Sequence, residues 1–325
     1  MPGTPESGAD LEALFAPFAR GDAPGLVVGV ALGGRLLYRR AFGLASLEHG
    51  VANTPRTRMR IGSTSKQFAA VAALMLHEEG RLDVDAPVTV HLPELEELVP
   101  APSLRQFMNH TSGLRCAQEL AFIGAGLAIQ PAGEHLVSYR RVRSVNFEPG
   151  AGQLYNNGAF HLLSRAIERV SGQSFGYFLR ERIFEPCGLH DTELLTSDLG
   201  IAPGMATLHE PVAGGGWRRG LFVNEENLGE GGIVSTVDDL LRWAAVLRGP
   251  RPRGGLLLSE RRWSELLAPT RLRHGIVSPY GLGLWRQDYR GVEVIHHPGG
   301  VIGGNSQLLT VPAHALDVAI MTNGS

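Results

Sequence analysis

The sequence has 325 residues, 32 of them acidic and 30 basic, with a formal net charge of −2 at neutral pH. That length buries a large core, as one big domain or as two fused lobes. The scattered charge offers no basic face for nucleic acid and no apolar run reaches membrane-spanning length, so neither is expected as a partner. The start, Met1-Pro2-Gly3-Thr4-Pro5-Glu6, lacks the basic and apolar regions of a secretory signal. Two cysteines, Cys116 and Cys187, are too few for a disulfide framework. Both readings predict a cytoplasmic chain with reduced thiols.

In chain order, Gly25 to Leu32 and Arg35 to Arg40 read as two strands, and Gly33-Gly34 between them as a hairpin turn. From Ser63 to Glu79 the apolar residues Phe68, Val71, Ala72, Met75 and Leu76 recur at helical spacing, and Gly80 supplies the stop. The middle, Pro87 to Leu228, reads as helical patches joined by long loops, with helices from Gly158 to Val170 and from Phe175 to Phe184. Ser235, Thr236, Asp238 and Asp239 open a further helix through Leu247, and Ser259 caps one carrying Trp263, Leu266 and Leu267. Strands return at Gly281 to Gln287, Gly291 to His297, Asn305 to Val311 and Leu316 to Met321. Strands at both ends around a helical middle predict an α/β fold of the α+β kind. One antiparallel sheet is built from both chain ends, with an inserted helical lobe. The chain is then a single module, an α/β lobe of about 1–86 plus 229–325 and a helical lobe of about 87–228.

Among the basic residues one is a lysine, Lys66, and every other is arginine. Arginine keeps its proton at any working pH, whereas a desolvated lysine can lose it. The lysine's survival is explained if position 66 must at times be neutral; chance survival in an arginine-rich chain is the alternative. Ser63 lies three residues earlier at a helix start, so both side chains share a face, beside the positive end of the helix dipole. A serine hydroxyl is a poor nucleophile until a base takes its proton, and a neutral lysine can do so. Ser-x-x-Lys alone is a weak signal.

A second segment, Glu148-Pro149-Gly150-Ala151-Gly152-Gln153-Leu154-Tyr155-Asn156-Asn157-Gly158, delivers a tyrosine and then an asparagine just before a helix. Tyrosine can relay protons, and an asparagine amide can hold both a lysine and a substrate carbonyl. The plainer alternative is a loop in which Asn157 is a helix N-cap. A third segment, His296-His297-Pro298-Gly299-Gly300, lies between two apolar strands. Its glycines let a substrate lie against a strand edge and its histidine can donate to it; the alternative is a hairpin with an incidental histidine pair. Nothing has the spacing of a zinc site, so no metal is expected.

In this order the three segments resemble the serine β-lactamase/penicillin-binding-protein-like superfamily, with its Ser-x-x-Lys, Tyr-x-Asn and Lys/His-x-Gly motifs. Arg60 to Phe68, Asn109-His110-Thr111-Ser112-Gly113-Leu114 and Pro279-Tyr280-Gly281-Leu282-Gly283 also match, and the likeness runs from Leu26 to Thr322. Within the superfamily the chain is most similar to the class-C-like branch of D-aminopeptidases, D-amino-acid amidases, DD-peptidases and β-lactamase-fold esterases. The resemblance implies a serine hydrolase working through an acyl-enzyme, with a small amide, peptide or ester as substrate and no cofactor. Ser63 is then the nucleophile, Lys66 the base and Tyr155 the proton shuttle. Asn157, His297, Gly299 and Gly300 bind substrate, with His297 hydrogen-bonded to the substrate or to Tyr155, and the amides of Ser63 and Gly300 form the oxyanion hole.

His297 stands where β-lactamases of this branch carry lysine, which favours a D-stereospecific peptidase or amidase over a β-lactamase. A carboxylesterase, a weak class-C-like β-lactamase and a non-catalytic scaffold are the alternatives. The family's C-terminal helix is expected to be missing after Asn323-Gly324-Ser325, and the oligomeric state is left open. The segment Arg115 to Asn146, with its apolar stretch Ala121 to Ile129, is expected to overhang the site. Gly172-Gln173-Ser174-Phe175-Gly176 matches a nucleophile elbow in letters only. That elbow needs a strand before it; here a helix precedes, so Ser174 is expected to cap the next helix.

Overall fold

In the computed structural model, which describes residues 8–119, 130–221, 224–249 and 257–324, a short helix α1 (Gly8–Phe15) leads into a β-hairpin. Strands β1 (Leu26–Leu32) and β2 (Arg35–Phe42) are joined by Gly33 and Gly34, both at positive φ, 58° and 79°. That turn matches the right-handed twist of the strands, and glycine enters it without steric cost. The far end of the chain adds β3 (Trp285–Tyr289), β4 (Val292–Val301), β5 (Gly304–Val311) and β6 (Leu316–Thr322). All six form one antiparallel sheet in the order β3-β4-β5-β6-β1-β2. The two ends of the chain meet at its centre, with Val30 of β1 opposite Val318 of β6. The mixed fold and the sheet built from both ends are therefore as expected.

Two strand boundaries differ from the sequence reading. The segment from Gly281 to Leu284 is not extended: Gly283 takes φ 77°, and a Cβ there would lie 2.7 Å from the Lys66 carbonyl oxygen. This segment is shaped by its fit over a helix, a constraint that periodicity does not show. In the other direction, β4 continues past His297 through Pro298, Gly299 and Gly300 to Val301. Its pairing with β3 ends at His296, whereas its pairing with β5 runs to Val301. Residues 297–301 therefore present one edge without a strand neighbour, which is where a proline with no N–H is tolerated.

Helix α2 (Lys66–Glu78) is buried without interruption from Lys66 to Leu76, the mark of a helix enclosed on all sides. Against it and the sheet packs α4 (Val237–Arg248), which follows α3 (Asn157–Ser171) in the chain. The Trp243 ring of α4 stacks 4.3 Å from that of Phe68, and its indole N–H donates to Gln67 Oε1 at 2.8 Å. Arg248 ties α4 to β6 through Asp317, with both contacts at 2.8 Å. On the other face of the sheet Phe15 of α1 stacks on Tyr38 and Phe42.

The middle of the chain is less purely helical than its pattern indicated. Ile233–Ser235 pairs with Met59–Arg60 and with Glu193–Leu194, and His209–Pro211 pairs with Trp217–Arg219. Strands of two or three residues are too short to show alternation.

Trp243 is fully buried beneath the helix that carries Lys66. Trp243→Ala is expected to lower unfolding free energy by about 3–5 kcal/mol, with Trp243→Phe losing less. Urea denaturation followed by circular dichroism measures both.

Candidate active site

Ser63 does not open α2 but sits in a 3₁₀ turn, Gly62–Ser65, that runs into the helix at Lys66. The turn is fastened on two sides. Ile61 N–H donates to the Ile233 carbonyl at 3.0 Å, Ser306 Oγ donates to the Ile61 carbonyl at 2.7 Å, and Thr64 Oγ1 donates to the His297 carbonyl at 3.1 Å. Glycines allow this closeness. A Cβ on Gly299 would meet the Ile61 carbonyl oxygen at 1.9 Å, and one on Gly62, which holds φ 50°, would lie 2.8 Å from Gly300 N. The free-edged end of β4 is thus laid directly against the serine turn.

Lys66 is fully buried. Its Nζ lies 3.0 Å from Ser63 Oγ and donates to Asn157 Oδ1 at 2.8 Å and to the Glu230 carbonyl at 2.7 Å. Burial lowers its pKa to about 7, with the negative charge of Glu230 the first influence in the opposite direction. A neutral amine has two N–H donors and one lone pair. Asn157 and Glu230 take the two donors, so the lone pair is left for the Ser63 hydroxyl proton.

The two asparagines divide their work. Asn156 is the N-cap of α3, its Oδ1 accepting the Ala159 N–H at 3.0 Å. Asn157, the residue with the capping alternative, is thereby free to bind Lys66. Tyr155 is held in place by His110, whose carbonyl accepts Leu154 N–H at 2.9 Å, whose Nδ1 accepts Asn156 N–H at 3.1 Å and whose ring lies 4.2 Å from that of Tyr155. His110 itself takes a left-handed φ of 61°. Although 37% of the Tyr155 side chain is exposed, its phenol faces Ser63; burial raises its pKa and the Ser63 hydrogen bond only partly offsets this. The phenol keeps its proton, so it can relay one without serving as the anionic base.

His297 is buried, and within the protein its imidazole meets Tyr280 rather than Tyr155. Because Asn156 N–H occupies His110 Nδ1, the His110 proton is on Nε2, which donates to Tyr280 Oη at 3.1 Å. Tyr280 Oη then donates to His297 Nε2 at 3.0 Å, and His297 Nδ1–H donates to the Pro298 carbonyl at 2.5 Å. Both imidazole nitrogens are engaged, and the ring centroid stands 6.3 Å from that of Tyr155. The expected hydrogen bond to Tyr155 is absent. Burial holds the His297 pKa near 3, so this imidazole is neutral.

The beta-lactamase family pattern matches residues 11–325. The chain belongs to the beta-lactamase family. A D-aminopeptidase of Gluconobacter oxydans is 30% identical over 320 residues, which are 97% of this chain and 59% of the relative. The chain therefore spans little more than half the length of that curated relative. Among solved structures, an octameric penicillin-binding protein homologue from Pyrococcus abyssi has a TM-score of 0.85 at 23% identity, over 98% of this chain and 73% of that one. A D-stereospecific amidohydrolase from Streptomyces sp. has a TM-score of 0.77 at 26% identity, over 98% and 94%.

In this beta-lactamase family member Ser63, Lys66, Tyr155, Asn157, Gly299 and Gly300 converge, and His297 stands behind them. Sequence reasoning gave no role to His110, Tyr280 or Glu230. The first two lay inside matched fragments, but a motif match does not say which partners a side chain finds. Ser174 caps the helix Phe175–Leu179 by accepting Tyr177 N–H at 3.4 Å. Of the segment Arg115 to Asn146 that was expected to overhang the site, the apolar stretch Ala121 to Ile129 lies outside the described residues. Among the described residues no group of His, Cys, Asp and Glu is arranged to hold a metal ion, and no helix is long and apolar enough to cross a membrane.

With its pKa lowered to about 7, Lys66 is mostly an ammonium below that pH and an amine above it. The rate at which a fluorophosphonate labels Ser63 is expected to rise with pH through a limb near 7 and then level. A rate flat between pH 5 and 9 would count against a titrating base.

Proposed function

We propose that this chain is a serine hydrolase that works through an acyl-enzyme intermediate and cleaves amide or peptide bonds beside D-configured residues. The observation that carries the chemistry is the buried Lys66 amine, with both N–H groups occupied and its lone pair left for Ser63 Oγ. Ser63 attacks the carbonyl as its proton passes to Lys66. The Lys66 ammonium then passes its proton through the Tyr155 hydroxyl to the leaving amine; in deacylation Lys66, again through Tyr155, takes a proton from the attacking water and returns it to Ser63 Oγ as the ester breaks. The amides of Ser63 and Gly300 receive the oxyanion, and Asn157 orients Lys66 and the substrate. His297 acts from behind, through Tyr280 and His110, on the loop that carries Tyr155.

D-stereospecificity is supported by the D-aminopeptidase relative and by the Streptomyces amidohydrolase, the latter over nearly its whole length. The neutral, enclosed His297 gives no cation for a substrate carboxylate, which favours amides over β-lactams. A reducing compartment such as the cytoplasm is the reading that suits the free thiols Cys116 and Cys187.

Purified protein is expected to hydrolyse D-amino-acid p-nitroanilides faster than their L-forms, with weak or no turnover of a chromogenic cephalosporin. Ser63→Ala should abolish turnover. Preference for p-nitrophenyl esters with no D-amide cleavage would replace this reading by an esterase. Lys66→Arg keeps the charge but cannot accept a proton, so it is expected to fold and to lose about two to four decades in kcat/KM. Near-normal turnover in that variant would remove Lys66 as the base.

A further inference from the structure

A buried chain of charged groups adjoins Lys66 and has no part in the reaction steps above. Glu230 is 2% exposed; its carbonyl accepts from Lys66, but its carboxylate turns to α3 and lies 3.4 Å from His161 Nδ1. The same carboxylate accepts Leu228 N–H at 3.1 Å. His161 is fully buried, one helical turn beyond Asn157, the other acceptor of Lys66. Its Nε2 is 3.5 Å from Glu226 Oε2, and Glu226 in turn accepts Gly133 N–H at 2.9 Å and pairs with Arg165 at 3.1 Å. His135 stacks on His161 at 4.5 Å. Lys66 thus touches both Asn157 and Glu230, and His161, one turn along the same helix as Asn157, holds the Glu230 carboxylate.

The charge states follow from these contacts. Burial alone drives His161 toward neutrality, but Glu230 and Glu226 outweigh it and raise the pKa to about 9. Burial opposes both carboxylates, and His161 prevails, holding Glu226 near 2 and Glu230 below its ordinary value. His135, burial first and the His161 charge second, falls to about 4 and is neutral. At neutral pH the three buried groups are carboxylate, imidazolium and carboxylate, and the partly exposed Arg165 offsets the charge of Glu226, the outer of the two carboxylates.

We propose that Glu230 is a positioning residue for the base: locked on His161, its carboxylate supplies the negative field that keeps the buried Lys66 amine basic enough to take the Ser63 proton near neutral pH. The proposal rests on the reading of Lys66 as base. A base whose proton affinity is driven too low has little driving force for transfer, and full burial pushes an amine that way. The other groups facing Lys66 do not supply this field in the same manner. Ser63, Asn157 and protonated Tyr155 are uncharged, and buried His110 and His297 are neutral. The Cys116 thiol, raised by burial, is protonated. Glu119 is exposed and screened by solvent. At an effective dielectric of about 20, a unit charge within about 10 Å moves a pKa by roughly one unit.

The test is the pH dependence of fluorophosphonate labelling of Ser63 in the full chain, Glu230→Gln and Glu226→Gln, with folding checked by circular dichroism. Below neutral pH His161 stays protonated on whichever carboxylate remains, so each variant loses one negative charge. Glu230→Gln is expected to move the acid limb down by about one pH unit and to lower the plateau a few-fold, because the amine is then a weaker base. Glu226→Gln, more solvent-exposed, should move the limb the same way by less. A purely structural role would lower the plateau without moving the limb. A folded Glu230→Gln with an unmoved or raised limb overturns the proposal. If that variant does not fold, an unmoved limb in Glu226→Gln overturns it instead. Failure of the parent reading looks different: the unsubstituted protein itself would show no limb, and both readings would fall together.

Discussion

Three separate stretches of chain meet on one nitrogen, Nζ of Lys66: the turn holding Ser63, the start of α3 at Asn157 and the loop at Glu230. Removing an ammonium from water costs several kcal/mol unless partners compensate, and here its three contacts, Ser63 Oγ, Asn157 Oδ1 and the Glu230 carbonyl, are all uncharged. Much of the architecture can be understood as what keeps that nitrogen dry and in register. The packing of Trp243 on Phe68 of α2, and the segment at Gly283 lying over the Lys66 carbonyl, both exclude solvent from the base of the site.

The second constraint is backbone proximity. This geometry needs two main-chain segments closer together than side chains permit, and Gly62 and Gly299 meet that need. Because β3 stops pairing at His296, the same stretch of β4 keeps an open edge toward the serine turn. The proline beside those glycines is then a consequence of the topology, since that edge has no ladder for its missing N–H to interrupt.

How much of this was legible in the sequence depended on whether information was local. Ser63 and Lys66 are separated by less than one helical turn, so their meeting is written in their spacing; the Gly33-Gly34 hairpin is likewise a local matter. The choice between Asn156 and Asn157 as cap was not local. It turns on Lys66, which is distant in the chain, and no propensity ranks one asparagine above the next. The partners of His297 within the protein were not local either. Its hydrogen bonds are settled by Tyr280 and by a tautomer fixed at His110 through Asn156 N–H, three contacts that no spacing encodes. Glu230 carried no signal beyond being an acid in a glycine-rich loop, because its significance lies in what α3 puts opposite it.

The pairing of β1 with β6 joins residues such as Val30 and Val318 that stand at opposite ends of the polypeptide. Contacts of such sequence separation form late, because the intervening chain must first be ordered. The serine turn depends on β4 and β5, which lie close to that final strand. During ribosomal synthesis Ser63 and Lys66 emerge well before β4 and β5, so a growing chain carries them apart from the backbone that shelters them. Emergence of β4 to β6 is then the event that first brings Lys66 and the Gly299-Gly300 backbone to one place.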